Sequence, residues 1–375
     1  MSLAAAIDVK GWCPGALRPM QSGDGLIARV RPWCGVFTPD EARALADISE
    51  TLGNGHIDLT RRANLQIRGL REQDVPALQA ALRRQGLLDR DSETEAGRNI
   101  MVGPLAGLDP AESVDVRPIA RELVERLASD PALHALPAKF GFLLDGGGVL
   151  SIACERADIA LLVEGTQMVV RAGREVLGTV SPGSAAALAV EAARTFVGAT
   201  RVRDRATARA PQRRLGVLAL GEGKFAVGVA APFGRLEALQ LRRFADICAG
   251  EIRLSPWRAL YVEARDGENA AKLVDAAREI GFVVDATDPI LRVDACPGAP
   301  ACRSSSVDTR GLAVQLAAKA FVGSIHVSGC AKGCACSAPA DLVLAGEQGR
   351  YGVIRHGTAR DVAERFVTAR EALDV

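Results

Sequence analysis

Residues 25–70 read GLIARVRPWCGVFTPDEARALADISETLGNGHIDLTRRANLQIRGL, and residues 224–264 read KFAVGVAAPFGRLEALQLRRFADICAGEIRLSPWRALYVEA. Each stretch opens with an apolar strand, passes Gly35 or Gly234, and enters a helix carrying Ala-Asp-Ile at 46–48 or 245–247. A charged strand follows, Ile57-Asp-Leu-Thr60 against Ile252-Arg-Leu-Ser255, and then a further strand. Self-similarity over a unit of this length means that one supersecondary motif is built twice. Thr38-Pro39-Asp40-Glu41 is a capping box with proline at the first helical position. Ala42, Leu45, Ile48 and Leu52 follow at helical spacing, and Gly53 can stop the helix. From Asp74 to Gln85 a second helical pattern puts Val75, Leu78 and Leu82 on one face. Each copy therefore predicts a β-α-β-β-α half of an α+β domain.

Working outward, residues 86–199 predict a first central domain, with helices near 111–129 and 184–198 and strands near 140–180. Residues 289–375 predict its counterpart: strand 290–294, a helix near 309–320, strand 324–328 and a closing helix 358–372. The expected domains are thus 1–85, 86–199, 215–288 and 289–375, with 200–214 as a linker. That linker, TRVRDRATARAPQRR, is basic but holds no aromatic residue, so it reads as a solvated connection and not as a nucleic-acid arm.

Composition narrows the function classes. The 375 residues are 48% hydrophobic, enough for a sizeable core, and 46 Lys and Arg balance 45 Asp and Glu. This near-neutral charge argues against bulk binding to nucleic acid or a membrane surface, so any cationic site must be built locally. The first twelve residues lack an apolar core and do not read as a signal peptide. With no apolar run long enough to span a bilayer, a cytoplasmic protein is expected.

Five of the nine cysteines lie between 296 and 336, which points to a metal site and away from a disulfide framework. Cys296 and Cys302 are separated by five residues, Cys330 and Cys334 by three, and both pairs sit in Gly/Pro-rich loops that each follow a predicted strand. If those strands are parallel and joined by the intervening helix, both loops emerge at the same edge. Four thiolates converging from two loops suit a [4Fe–4S] cluster. Structural zinc is the alternative, but zinc knuckles favour two-residue gaps and neither gap here is two. Cys336 could replace Cys334; the Cys-Ala-Cys spacing is strained for ligating one cluster twice, so Cys336 is set aside. Cys13, Cys34, Cys154 and Cys248 read as ordinary small residues.

A second constellation is cationic. If 60–68 is one strand, Thr60, Arg62, Asn64, Gln66 and Arg68 share a face, with Ala63, Leu65 and Ile67 on the other. Arg29 and Arg31 share a face in strand 26–31, and Arg98, Asn99 and Lys139 are candidates for the same surface. An ordinary solvated strand face is the bland alternative. The repeat argues against it, because the matching positions of the second copy are Gly228, Ala230, Trp257, Ala259, Tyr261 and Glu263. A face kept cationic in one copy and lost in the other suggests a single polyanion site, since arginine forks pair bidentately with carboxylates.

Taken together, the chain resembles the sulfite and nitrite reductase superfamily. The resemblance rests on Leu59-Thr-Arg-Arg-Ala-Asn-Leu-Gln66, Arg98-Asn-Ile-Met101, Leu136-Pro-Ala-Lys-Phe140 and His326-Val-Ser-Gly-Cys-Ala-Lys-Gly-Cys334. It implies an α+β fold of two pseudo-symmetric ferredoxin-like half domains plus two reductase-type α/β domains, the C-terminal one holding the cluster. It also implies that the basic residues grip sirohaem carboxylates and an anionic substrate. Two departures stand out. The relatives' Lys-Phe-Lys is Lys139-Phe140-Gly141 here, and the arginine after the last cysteine is replaced by Ala335-Cys336. Cys13-Pro-Gly15, Ser22-Gly-Asp-Gly-Leu26, Gly103-Pro-Leu-Ala-Gly107, Lys139-Phe-Gly-Phe142 and Asp145-Gly-Gly-Gly148 look like the precorrin-3B synthase family within that superfamily.

That narrower resemblance implies a cytoplasmic, O2-dependent monooxygenase that hydroxylates the tetrapyrrole precorrin-3A at C20, with γ-lactone formation, in aerobic cobalamin biosynthesis. Precorrin-3A would take the place where relatives hold sirohaem. A further mononuclear iron or sirohaem-type, haem-binding centre is implied too, with no ligand set evident and His326 as one candidate. No G-x-G-x-x-G opens a helix after a strand, so electrons from NADH are expected through a partner reductase. The competing readings are a sirohaem-dependent assimilatory sulfite or nitrite reductase, and a non-catalytic iron–sulfur carrier.

Overall fold

The structure is a computed structural model that describes residues 13–137, 139–198 and 213–375. The N-terminal segment 1–12 lies outside the described residues, as does the expected linker apart from Arg213 and Arg214. By backbone proximity the described chain divides into two units, one of residues 13–20 and Ile27–Val284, the other of Gln21–Leu26 and Asp285–Val375.

The first copy runs β1 (Met20–Ser22), β2 (Gly25–Val30), β3 (Val36–Phe37), α1 (Pro39–Thr51), β4 (His56–Leu59), β5 (Leu65–Leu70) and α2 (Val75–Arg84). The capping box at the head of α1 is formed. Glu41 N–H donates to the Thr38 hydroxyl at 3.2 Å, and Thr38 N–H donates to the Glu41 carboxylate at 2.6 Å. Ala42, Leu45 and Ile48 are buried along one face. Leu78 and Leu82 do the same for α2.

One expectation fails here. Residues 60–68 are not one strand: 65–68 belong to β5, but β4 and β5 are antiparallel with Leu59 opposite Leu65, so 60–64 is the loop of a hairpin. Thr60 closes that loop, its N–H donating to the Asn64 carbonyl at 2.9 Å and its hydroxyl accepting from Asn64 N–H at 3.1 Å. Ala63 takes φ 50, which breaks the alternation on which the shared face depended.

A central domain follows: α3 (Ser92–Gly97), β6 (Ile100–Val102), α4 (Arg117–Ser129), β7 (Phe142–Asp145), β8 (Ile159–Glu164), β9 (Gln167–Ala172), β10 (Glu175–Val180) and α5 (Pro182–Arg194). The sheet order is β10-β9-β8-β7-β6, with β6, β7 and β8 parallel and the rest antiparallel. Leu123, Phe142, Leu161, Val170 and Ala189 belong to the buried core that joins this sheet to α4 and α5.

The second copy runs β11 (Gly216–Gly221), β12 (Lys224–Ala230), β13 (Arg235–Glu237), α6 (Ala238–Ile247), β14 (Ile252–Leu254), β15 (Ala259–Ala264) and α7 (Gly267–Ile280). The two copies exchange a strand. β13 pairs with β4, and β3 pairs with β14, giving sheets β1-β2-β5-β4-β13 and β11-β12-β15-β14-β3. The repeat extends to backbone strain, for Cys34 and Phe233 take φ 52 and 57, and Ala63 and Arg258 take φ 50 and 58. Asp58 ties the exchanged strand, accepting from Arg235 at 2.9 Å and from Arg68 at 3.2 Å.

In the smaller unit, β16 (Val293–Ala295), α8 (Thr309–Ala317), β17 (Ile325–Ser328), β18 (Ala340–Glu347), β19 (Arg350–Gly357) and β20 (Arg365–Val367) form a sheet in chain order. β16, β17 and β18 are parallel and the last two pairings antiparallel, the arrangement of the central sheet again. The helix expected at 358–372 is absent. Thr358 N–H and Thr368 N–H each donate at 2.7 Å to an acid three residues on, Asp361 and Glu371, in separate turns. Between those turns, Arg365–Val367 pairs with the edge of β19 and buries Val367. An open strand edge outcompeted local helical spacing.

Candidate cluster site and cationic site

Parallel pairing of β16 with β17, Ala295 opposite Val327, brings the two cysteine loops to one edge of the sheet. Cys296 leaves β16 with its N–H still directed at the Val327 carbonyl, 3.4 Å away. Thr309, at the head of α8, donates its hydroxyl to the Cys296 carbonyl at 2.5 Å. From the second loop, Gly329 N–H donates to Cys296 Sγ at 3.1 Å, an N–H···S bond of the kind that tunes iron-bound thiolates. A Cβ on Gly329 would lie 2.4 Å from Ser305 Oγ and 3.4 Å from Cys296 Sγ, so the loops are in van der Waals contact only because this residue is glycine.

Burial pushes the Cys330 thiol up, and Cys302 and Cys296 add to the rise. Cys334 is exposed as a residue; desolvation at the loop pushes its thiol up to about 11, Lys332 opposing and Cys296, Cys330 and Cys302 adding to the rise. Among the described residues, no three His, Cys, Asp or Glu side chains form a group suited to one metal ion. A tetrahedral zinc needs four donors about 2.3 Å from a single point, whereas a cubane takes each thiolate on its own iron corner. Four thiolates carried by two loops at one sheet edge are the kind of donor set a cubane takes. Because thiolates are the ligands, loading a metal centre there would release thiol protons. Cys336 is buried, its thiol 3.5 Å from the Ala338 carbonyl.

His326 sits in β17 with no exposed surface, opposite Asp294 and Val343. A Cβ on Gly333 would lie 3.7 Å from its ring, so the imidazole packs beneath the Cys330–Cys334 turn. That is the position of a core histidine.

The cationic residues, all in the larger unit, separate into two groups. Arg31, Arg68 and Arg98 are buried against internal carboxylates: Glu95 at 3.7 Å, Asp58 at 3.2 Å and Asp89 at 2.8 Å. Arg98 also donates to the Arg31 carbonyl at 2.7 Å and lies 5.1 Å from the Trp33 ring. Burial and the neighbouring Arg29 push Arg31 down to about 10. Arg29 is lowered by burial as well, and Cys13 and Glu95 oppose the shift. Arg31, Asn64 and Arg98 line a cavity of about 20 Å³, room for a single water. Sequence reading overlooked the counter-ions Asp58, Asp89 and Glu95. A signal existed for one of them, since Asp58 pairs with Gln66 across the hairpin, diagonal to Arg68.

Arg62, Lys139 and Asn99 make up the second group. Arg62, in the hairpin loop, donates to the Lys139 carbonyl at 3.4 Å, and Lys139 is exposed. Asn99 is buried, its amide donating to the Phe140 carbonyl at 2.8 Å. Gln66 is half-buried on β5. In the second copy Trp257, the counterpart of Arg62, donates instead to Glu155 at 2.8 Å, so that loop is plugged by an aromatic ring.

Comparison with known proteins matches these parts. The family described as nitrite/sulfite reductase ferredoxin-like half domain covers residues 18–85 and 219–280, the two copies of the repeat. The nitrite and sulphite reductase 4Fe-4S domain covers residues 93–236, which stops short of the four cysteines. A precorrin-3B synthase from a Sinorhizobium species is 34% identical over 95% of this chain and 85% of its own length. A ferredoxin–nitrite reductase from Leptolyngbya laminosa is 32% identical over 40% of this chain and 30% of its own. The solved structure of the NirA protein of Mycobacterium tuberculosis shares the fold, with TM-score 0.72 at 20% identity over 93% of this chain and 79% of that one. Among the described residues no helix is long and apolar enough to cross a membrane. With two half-domain copies, a reductase-type [4Fe–4S] domain and near-full-length similarity to one relative, the chain belongs to the precorrin-3B synthase family of the nitrite and sulfite reductase superfamily.

Proposed function

We propose that this chain catalyses the precorrin-3B synthase reaction, a monooxygenation in which precorrin-3A is hydroxylated at C20 and a ring acetate closes a γ-lactone. The observation that carries the reading is the extent of similarity: 95% of this chain and 85% of the precorrin-3B synthase relative, against 40% and 30% for the nitrite reductase. Cys296, Cys302, Cys330 and Cys334 would hold the [4Fe–4S] cluster, with Gly329 N–H on Cys296 Sγ. When bound, the cluster supplies electrons one at a time.

The chain's own residues bind and orient. Precorrin-3A carries acetate and propionate groups, and a polyanion needs cations that can still turn toward a ligand. Arg62 and Lys139, with Asn99 as hydrogen-bond partner, serve that role most directly. Arg29, Arg31, Asn64, Gln66, Arg68 and Arg98 act behind them, most of them buried and holding the shape of the site through internal ion pairs and hydrogen bonds. O2 is the co-substrate, and NADH-derived electrons arrive through a partner reductase. We place the reaction in the cytoplasm, where free cysteines stay reduced. For a mononuclear iron, no group of three His, Cys, Asp or Glu side chains is preassembled among the described residues. A sirohaem-type centre is not needed for the anion-gripping role.

The test is anaerobic binding of precorrin-3A to wild type and Arg62→Ala. Charge-assisted hydrogen bonds are worth about 1.5–3 kcal/mol, so binding should weaken roughly tenfold to a hundredfold with cluster absorbance unchanged. Normal affinity in Arg62→Ala would remove the anion site from the proposal. Intense sirohaem bands with turnover of sulfite or nitrite would replace the proposed reaction altogether.

A further inference from the structure

Three elements of the larger unit meet over one α-carbon. Arg62 reaches it from the hairpin loop between β4 and β5, Asn99 from the segment before β6, and the carbon belongs to Gly141 at the entry to β7. A Cβ placed on Gly141 would stand 2.6 Å from Arg62 Nη1, 2.7 Å from Asn99 Nδ2 and 3.2 Å from the Asn99 carbonyl oxygen. The first two distances are shorter than real Cβ contacts, so the guanidinium and the carboxamide occupy the volume that any other residue's side chain would take.

The backbone at 141 has no freedom to retreat. Gly141 N–H donates to the buried Asp158 carboxylate at 2.9 Å, and the Gly141 carbonyl accepts from Asp158 N–H at 2.9 Å. Phe142 N–H is held by the Asn99 carbonyl at 2.9 Å. Of the two side chains, Asn99 is buried and tied to the Phe140 carbonyl, whereas Arg62 presents the far end of a flexible stem. An added methyl group would therefore displace Arg62 first.

We propose that Gly141 is a positioning residue for the substrate: its bare α-carbon is what lets the Arg62 guanidinium settle beside Asn99 and Lys139 in a geometry that receives a carboxylate of the tetrapyrrole. This rests on the reading that Arg62 grips the substrate, and it goes further in naming the residue that aims it. Gly141 itself touches no ligand; it acts through Arg62.

The experiment is a double-mutant cycle on the full chain with its cluster loaded, using anaerobic precorrin-3A binding and melting temperature as readouts. Wild type, Gly141→Ala, Arg62→Ala and the double variant are compared. Gly141→Ala should weaken binding about as much as Arg62→Ala, roughly tenfold or more, and the double variant should bind no worse than Arg62→Ala alone. Gly141→Ala should also lower the melting temperature less in the Arg62→Ala background than in wild type, since the clash is then partly gone. Losses that multiply in the double variant, or wild-type affinity in Gly141→Ala, overturn the proposal. Equal melting-temperature drops in both backgrounds, or failure to fold in both, overturn it too, because the backbone and not Arg62 would then require the glycine. If Arg62→Ala binds normally, the substrate-grip reading falls as well; if only Gly141→Ala does, that reading stands and this one falls.

Discussion

Gly329→Ala is the sharpest test of the cluster site. An added Cβ would lie 2.4 Å from Ser305 Oγ and 2.6 Å from Ser305 Cβ, where ordinary contacts begin at 3.4 Å, so Ser305 must move by about 1 Å. Ser305 is not free to do so. Its hydroxyl donates to the Val307 carbonyl at 2.9 Å and accepts from Val307 N–H at 3.3 Å, and its own N–H donates to the Cys302 carbonyl at 3.0 Å. Giving up two or three such bonds costs about 1 kcal/mol each, which agrees with the roughly 1–3 kcal/mol typical of overpacking. The movement is transmitted to Cys302 through its carbonyl and to Cys296 through the Gly329 N–H. Gly329→Ala should therefore lose most of its iron and acid-labile sulfide per chain, measured after anaerobic reconstitution. Removing the obstruction in the double variant Gly329→Ala/Ser305→Gly should recover a large part of it. Full iron content and an unchanged electron paramagnetic resonance spectrum in Gly329→Ala alone would show that the two loops do not meet as described.

Two further outcomes are expected. Cys334→Ser should abolish cluster loading while Cys336→Ala keeps it, because Cys336 is buried with its thiol on the Ala338 carbonyl; iron analysis giving the opposite order would reassign the fourth ligand. Burial pushes the half-buried Glu112 carboxyl up from 4.5 to about 7, so the folded state holds its proton more tightly than the unfolded chain does. The stability this contributes is complete below about pH 4.5 and is lost as pH rises through 7. Unscreened, that shift is worth about 3 kcal/mol, and solvent access should reduce it to about 1–2. Glu112→Gln should then melt a few degrees higher than wild type at pH 8 and equally at pH 4.5. An equal gap at both pH values would exclude titration of Glu112 as the cause.

Local patterns carried the elements whose physics is local. The capping box at Thr38 and the apolar face of α1 are satisfied within one stretch of chain, so their residues spell them out. The internal repeat was legible for a related reason: two copies of one motif must keep the same turn positions, and the left-handed backbone at Cys34 and Phe233 shows that they do. The strand exchange that places β13 beside β4 left no local mark, because either copy could have kept its own short strand. The closing helix was misread since 358–372 has helical spacing, but an unpaired edge on β19 was available to it only in three dimensions.

For the sites, the sequence alone determined the chemistry on offer: four cysteines in two glycine-rich loops after two strands, and a surplus of arginine in one copy of a repeat. Tertiary structure decided how each of those groups is held. Asp58, Asp89 and Glu95 come from other elements to neutralise Arg68, Arg98 and Arg31, while Arg62 is aimed over a carbon that has no side chain. Charge can be counted along a chain, but whether a cation is already paired depends on distance through space, which the fold alone sets.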